Sequence, residues 1–263
     1  MEKIKVLTVF GTRPEAVKMA PLVLELQKYP QIESLCCVTA QHREMLDSVL
    51  EIFGVKPDFD LNIMQTSQTL TGITTKALEG MEKVLNQAQP DIVLVHGDTS
   101  TAFYHKVAIG HVEAGLRTYD RYSPFPEEMN RVMTDALSNL AFAPTALNKE
   151  NLAKENITAD TFITGNTVID AMRYTVRDDY NFSDPTLKEL DFDAHRVVVV
   201  TAHRRENYGE PLENIMNAIK ELAAKHEDCL FVYPMHLSPV VRNTAKGILE
   251  GCERVLLIDP LPV

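Results

Sequence analysis

The sequence predicts an α/β protein of doubly wound parallel sheets, and three observations predict it. Short apolar runs alternate with helical patterns from end to end. Several runs are continuous Val, Ile and Leu, such as Val197-Val-Val-Val200, as expected of strands covered on both faces. The segments between them carry apolar stripes at 3.6-residue spacing, which suits helices laid against a sheet.

Taken in order, strands are expected at 4–10, 35–39, 92–96, 107–112, 140–143, 162–164, 197–201, 230–233 and 255–258. The first runs into Gly11-Thr-Arg-Pro-Glu15. There Gly11 permits a tight turn, Thr12 can cap, and Pro14 suits the first helical turn. Pro21 lacks an amide hydrogen and is expected to kink or restart that helix. A second helix places Leu70, Ile73, Ala77, Met81, Val84 and Leu85 on one face. A third, starting at Pro126, does the same with Met129, Val132, Met133, Ala136, Leu137 and Leu140. A fourth uses Leu212, Ile215, Met216, Ile219 and Leu222. The Asp-rich stretch 174–196, containing Asn181-Phe-Ser-Asp-Pro185, breaks the rhythm and divides the chain into domains 1–173 and 174–263.

Composition excludes several classes. At 263 residues and a formal charge of −11, the chain has no basic field for a nucleic-acid backbone. No apolar run reaches the roughly 18 residues of a membrane span, and the N-terminus lacks a signal-peptide core. Cys36, Cys37, Cys229 and Cys252 form no Cys-x-x-Cys pair, so neither a zinc site nor a disulfide framework is expected, and a cytoplasmic location follows. His96, His105 and His111 lack ligand spacing with a carboxylate, so no metal is expected.

Candidate site residues cluster at strand ends, where open α/β sheets bind ligands. After the first strand, Arg13 and Lys18 beside a helix N-terminus make an anion site, or else decorate an ordinary turn. The turn holds one glycine and is neither a Walker loop nor a dinucleotide fingerprint. His96-Gly-Asp-Thr99 ends a buried strand and places Asp98 as a reactive carboxylate or as a cap. His96 reads as a hydrogen-bonded structural histidine. Glu113 follows the strand at 107–112, and a carboxylate there must be paired or used. Glu127 opens a helix, either as an acid/base group or as compensation for the helix dipole. In the second half His203, with Arg204 and Arg205, and His236 leave adjacent strand ends. There they suit acid/base and phosphate work, or structural roles.

Gly11-Thr-Arg-Pro-Glu15, His96-Gly-Asp-Thr99, His111-Val-Glu-Ala-Gly-Leu-Arg-Thr118, Ser123-Pro-Phe-Pro-Glu-Glu128, Gly165-Asn-Thr-Val-Ile-Asp170 and His203-Arg-Arg-Glu206 occur in one order along the chain. Together they resemble the non-hydrolysing UDP-N-acetylglucosamine 2-epimerases of bacterial type. The resemblance implies two Rossmann-like domains facing a cleft, as in B-type glycosyltransferases. The N-terminal domain then carries the sugar and the catalytic carboxylates, and the C-terminal one holds the nucleotide. The implied reaction interconverts UDP-N-acetylglucosamine and UDP-N-acetylmannosamine without a cofactor, for cell-envelope polysaccharide synthesis. UDP is eliminated to leave 2-acetamidoglucal and is added back with C2 inverted. Asp98, Glu113, Glu127 and His203 are then catalytic, and Arg13, Lys18, Arg205 and His236 bind substrate. The family also implies a homodimer and a second UDP-N-acetylglucosamine bound as activator, through Gln41 and His42. Glu44 and Ser67 stand where that activator pattern has Gln and Arg.

Two departures accompany the resemblance. Only residues 100–106 separate two parallel strands, fewer than the dozen or so such a crossover usually needs. The second domain is shorter than an ordinary Rossmann-like half and lacks the family's Ser-Gly-Gly-x-Gln-Glu-Glu and later Arg-Pro-Glu segments, so it is expected to be incomplete. The competing readings are a hydrolysing epimerase, a glycosyltransferase using UDP-sugars, and a non-catalytic nucleotide-sugar-binding protein.

Overall fold

The computed structural model describes residues 3–40, 43–64, 69–96 and 106–261, apart from the side chains of residues 44 and 45. It divides into two units, Met1–Arg177 and Asp178–Val263. In the first, strands β1 (Ile4–Phe10), β2 (Ile32–Val38), β3 (Phe59–Asp60), β4 (Ile92–His96), β5 (Ala108–Val112), β6 (Leu140–Ala143) and β7 (Asp160–Ile163) form one parallel sheet. Their order is β3-β2-β1-β4-β5-β6-β7. The two-residue strand β3 is too short to carry a periodic signal, and sequence reasoning passes over it.

Side-chain alternation along β1 explains why both faces are covered. Val6 and Phe10 point to one face, against α1 (Arg13–Leu26), α2 (Arg43–Phe53) and α6 (Thr167–Thr175). Leu7 and Val9 point to the other, against Met81, Val84 and Leu85 of α3 (Leu70–Ala88). The chain winds outward from β1 to β3, then restarts at β4 beside β1 and winds the other way. The carboxyl ends of β1 and β4 therefore flank the switch point, where ligands bind in such sheets.

In one helix the restart at Pro21 does not occur, and in another the apolar stripe lies outward. Helix α1 runs on from Arg13 to Leu26 with Pro21 inside it rather than restarting. The buried positions Ala16, Met19, Ala20, Pro21 and Val23 give it a packed face that outweighs one lost hydrogen bond. Helix α4 (Glu127–Leu137) begins one residue after Pro126, which is its N-cap, and it is turned over. Met129, Val132, Met133 and Leu137 are exposed, while Glu128, Thr134 and Asp135 are buried. The polar face is inside because Glu128 and Asp135 hold the loop that follows β5, as described below. Helix α5 (Ala146–Lys154) likewise buries Asn148 and Asn151.

The second unit has the parallel order β10-β9-β8, with β8 (Arg196–Val199), β9 (Cys229–Pro234) and β10 (Val255–Ile258). Leu212, Met216 and Ile219 of α8 (Glu210–Lys225) and Val241, Ala245 and Leu249 of α9 (Pro239–Leu249) pack with Phe231 and Tyr233. On the opposite face Leu187, from the short α7 (Pro185–Lys188), meets Val232 and Ile258. Among the described residues no helix is long and apolar enough to cross a membrane.

The reversal of α4 gives a direct test. Met81 and Met133 occupy equivalent places in the two apolar stripes, but only Met81 is buried. Met81→Ala is expected to cost about 2–5 kcal/mol in urea unfolding and Met133→Ala under about 1 kcal/mol. Equal losses would place the α4 stripe in the core.

Candidate active site

The site is built on the turn that follows β5. Glu113 has φ +67°, a left-handed conformation that a β-carbon disfavours by about 1–2 kcal/mol. Two residues on, Gly115 has φ +79°, and a β-carbon there would lie 2.2 Å from the Asn148 carbonyl oxygen. Only glycine fits, and the chain leaves the strand on a fixed path that swings Glu113 inward.

Glu113 is met by side chains from three other elements. Lys18 of α1 donates to both carboxylate oxygens at 2.7 Å. Asn166, the N-cap of α6, accepts from the Val168 amide through Oδ1 and donates to Glu113 Oε1 at 2.7 Å through Nδ2. His96, the last residue of β4, places Nε2 2.9 Å from Glu113 Oε2. Both His96 ring nitrogens are buried, and neither makes an aligned hydrogen bond among the described residues. The Glu113 side chain is 9% exposed. Burial pushes its pKa up, but His96 and Lys18 outweigh it and hold the carboxylate at about 2. For His96 burial dominates over Glu113, and its pKa lies below the ordinary 6.5.

Beneath this cradle lies a second buried polar layer. Asp135 of α4 sits 2.6 Å from His111 Nδ1, accepts the Gly115 amide at 3.2 Å and lies 2.7 Å from Arg117 Nη1. Burial pushes Asp135 up, but His111 and Arg117 outweigh it and keep its pKa below the ordinary range. Arg117 also forks onto Glu155 at 2.8 and 2.7 Å. Asn148 and Asn151 both donate to the Gly115 carbonyl, and Glu128 Oε1 accepts the amides of Thr118 and Tyr119. The loop that aims Glu113 is thus held by α4 and α5 at the Gly115 amide and carbonyl and at the Thr118 and Tyr119 amides.

The remaining expected residues fall out unevenly. The amides of Gly11 and Thr12 both donate to Glu15 Oε2, at 2.6 and 3.0 Å. In this structure the Gly11 and Thr12 amides of the turn after β1 thus serve α1's own carboxylate. The cations of that expectation remain. Arg13 is half-buried at the helix start, with no ion pair among the described residues, and Lys18 is on Glu113. Glu127 is the first residue of α4, half-buried, and its Oε2 is buried without a hydrogen-bond partner among the described residues. Asp98, Gln41, His42, Ser67 and the short crossover at 100–105 lie outside the described residues, as does the Glu44 side chain.

In the second unit, His203 and His236 follow the adjacent strands β8 and β9, and their rings stack with centroids 5.2 Å apart. The Tyr233 hydroxyl donates to the Ala202 carbonyl at 2.6 Å and tethers the His203 segment to β9. His236 Nδ1 accepts the Ser238 amide at the start of α9. Arg205 is exposed in a short 3₁₀ turn, Arg205–Asn207. No group of three or more His, Cys, Asp or Glu among the described residues could hold a metal ion.

Sequence reasoning missed Asn166, Arg117, Glu128 and Asp135, and it gave His96 a bland role. Asn166 and Arg117 do stand inside motifs that carried the resemblance. Asp135 carried a signal only as a carboxylate inside an amphipathic helix.

Folding lowers the Glu113 pKa from its ordinary 4.5 to about 2. The stability it contributes is therefore fully present above about pH 4.5 and is lost as pH falls toward 2. Thermal melts across that window are expected to depend less on pH in Glu113→Gln than in wild type. An unchanged dependence would contradict the ion-paired cradle.

Comparison with known proteins identifies the family. The family model described as UDP-N-acetylglucosamine 2-epimerase matches residues 24–263. The UDP-N-acetylglucosamine 2-epimerase of Bacillus subtilis is 57% identical over 271 residues, covering all of this chain and 70% of that protein. The Escherichia coli K12 protein of the same name is 52% identical over 273 residues, covering 98% of this chain and 72% of its own length. The crystal structure of the Neisseria meningitidis enzyme bound to UDP-GlcNAc superposes with a TM-score of 0.86 at 48% identity, covering 98% of this chain and 73% of that one. The parallel sheet and these matches over nearly the whole chain agree: it belongs to the UDP-N-acetylglucosamine 2-epimerase family.

Proposed function

We propose that the protein interconverts UDP-N-acetylglucosamine and UDP-N-acetylmannosamine by elimination and readdition of UDP. A base takes the C2 proton while the C1–O bond breaks, its electron pair leaving with UDP, and C1=C2 forms in 2-acetamidoglucal. A UDP β-phosphate oxygen then adds back to C1, and C2 receives a proton on its opposite face. No electrons enter or leave, so no redox cofactor is required.

The observation that carries this reading is Glu113, an ionised carboxylate held at the sheet's switch point beside Lys18 and His96. The C2 hydrogen is a poor acid, and its removal needs a positioned base and a stabilised leaving group. Asp98, Glu127 and His203 are the further acid/base candidates, since delivery to the other face needs a second group. Arg13, Lys18, Arg205 and His236 are assigned to the anionic nucleotide sugar. The exposed stripe of α4, Met129, Val132, Met133 and Leu137, supports the homodimer of the same reading.

Incubation with UDP-N-acetylglucosamine in deuterated water tests it by proton NMR. The manno epimer and deuterium at C2 are both expected. Glu113→Gln and Asp98→Asn are expected to lower kcat about 10²–10⁴-fold while the fold is retained. Absence of both the manno epimer and C2 deuterium in wild type would contradict the reading. Free N-acetylmannosamine would select a hydrolysing epimerase instead, and transfer to an acceptor a glycosyltransferase.

A further inference from the structure

The proposed function, on which this inference rests, asks Lys18 to do two things at once. Its ammonium lies 2.7 Å from both oxygens of Glu113, so its donors are directed at that carboxylate. The same ammonium is the cation offered to the nucleotide diphosphate, whose greater charge competes for it. Lys18 is able to move: its side chain is 23% exposed, on a flexible four-carbon stem. Glu113 is not, because the loop behind it is fixed by Asp135, Asn148 and Asn151.

We propose that Lys18 is a substrate-operated mask on Glu113. In the resting protein the ammonium holds the carboxylate as a weakly basic anion. When a nucleoside diphosphate enters, the ammonium turns to the phosphates and leaves Glu113 a stronger base beside the sugar.

The groups around Glu113 make the direction definite. From α1 comes Lys18, a cation; from β4 comes His96, whose buried ring favours the neutral form. From α6 comes Asn166, which is uncharged, and His111 of β5 is engaged by Asp135. Among the described residues Lys18 is thus the cation paired directly with Glu113. Moving it away removes a positive partner, and the diphosphate brings negative charge nearby. Both changes raise the basicity of Glu113. His96 and then Lys18 hold the Glu113 carboxylate below its ordinary range, and the Lys18 share is what departs with the ammonium, so a stronger base is confined to the occupied site. Reciprocity follows as well: if diphosphate takes Lys18 from Glu113, Glu113 opposes diphosphate binding to the same extent.

Calorimetric titration with UDP tests this on wild type, Glu113→Gln, Lys18→Met and the double variant. Glu113→Gln is expected to bind UDP more tightly by about 5–100-fold, although it loses turnover. Lys18→Met is expected to bind more weakly, and adding Glu113→Gln to it should bring no such gain. An equal gain in both backgrounds, or none in either, overturns the mask. Absence of UDP binding by wild type instead overturns the proposed function, and the mask with it. Should Glu113→Gln not fold, the Glu113 carboxyl carbon of the wild-type protein is followed by ¹³C NMR from about pH 3 to about pH 7. With UDP it should titrate at higher pH than without, and identical curves overturn the proposal.

Discussion

Glu113 carries an ionised carboxylate in a nearly buried position, and a charge so placed must be compensated on every side. That constraint organises the carboxyl end of the first sheet. Lys18, His96 and Asn166 lie 95, 17 and 53 residues away along the chain, and the strand order brings them together (113 − 96 gives the 17). Parallel winding places β4 beside β5, and β1 with its helix α1 beside β4. Helix α6 adds Asn166 from a turn that caps its own first amides. A helix cap and a donor to the buried Glu113 carboxylate are thus one residue.

Compensation extends one layer deeper, and there it changes how a helix packs. Asp135 and Glu128 of α4 hold the loop that aims Glu113, so the polar side of that helix must face inward. Its apolar stripe is left outward, against the ordinary hydrophobic preference. Buried networks of this sort are sound only when nearly every member is satisfied, and most members here hold two or three partners. His111 Nε2 and Glu128 Oε2 are exceptions among the described residues, each buried without a hydrogen bond.

The strands were largely legible in the sequence, because continuous Val and Ile runs such as Val93-Leu-Val95 have few alternatives in a chain that alternates with helices. The helix faces of α3 and α8 followed their periodicity over Ala77 to Leu85 and Leu212 to Ile219, with Leu70 and Leu222 exposed at the ends of the stripes. Helix α4 did not, because periodicity shows that apolar residues share a face but not what that face meets. The polar layer was hidden for a different reason. His111 with Asp135 and Arg117 with Glu155 are 24 and 38 residues apart, and such pairs have no local signature. Glu113 stood out because a carboxylate at a strand end is anomalous by itself. The turn after β1 stayed ambiguous in the sequence, since a capping carboxylate at Glu15 and an anion site share their opening residues.

The central claim is that the resting site pairs an ionised Glu113 with Lys18 and Asn166 beside a neutral His96. The most direct measurement is the imidazole ¹⁵N shifts of His96 across about pH 5 to about pH 8, with His96→Gln identifying its signals. A neutral ring throughout the upper range, with any protonation setting in below the ordinary 6.5, is the predicted result. A ring titrating at or above 6.5 would make the Glu113 partner an imidazolium and contradict the account.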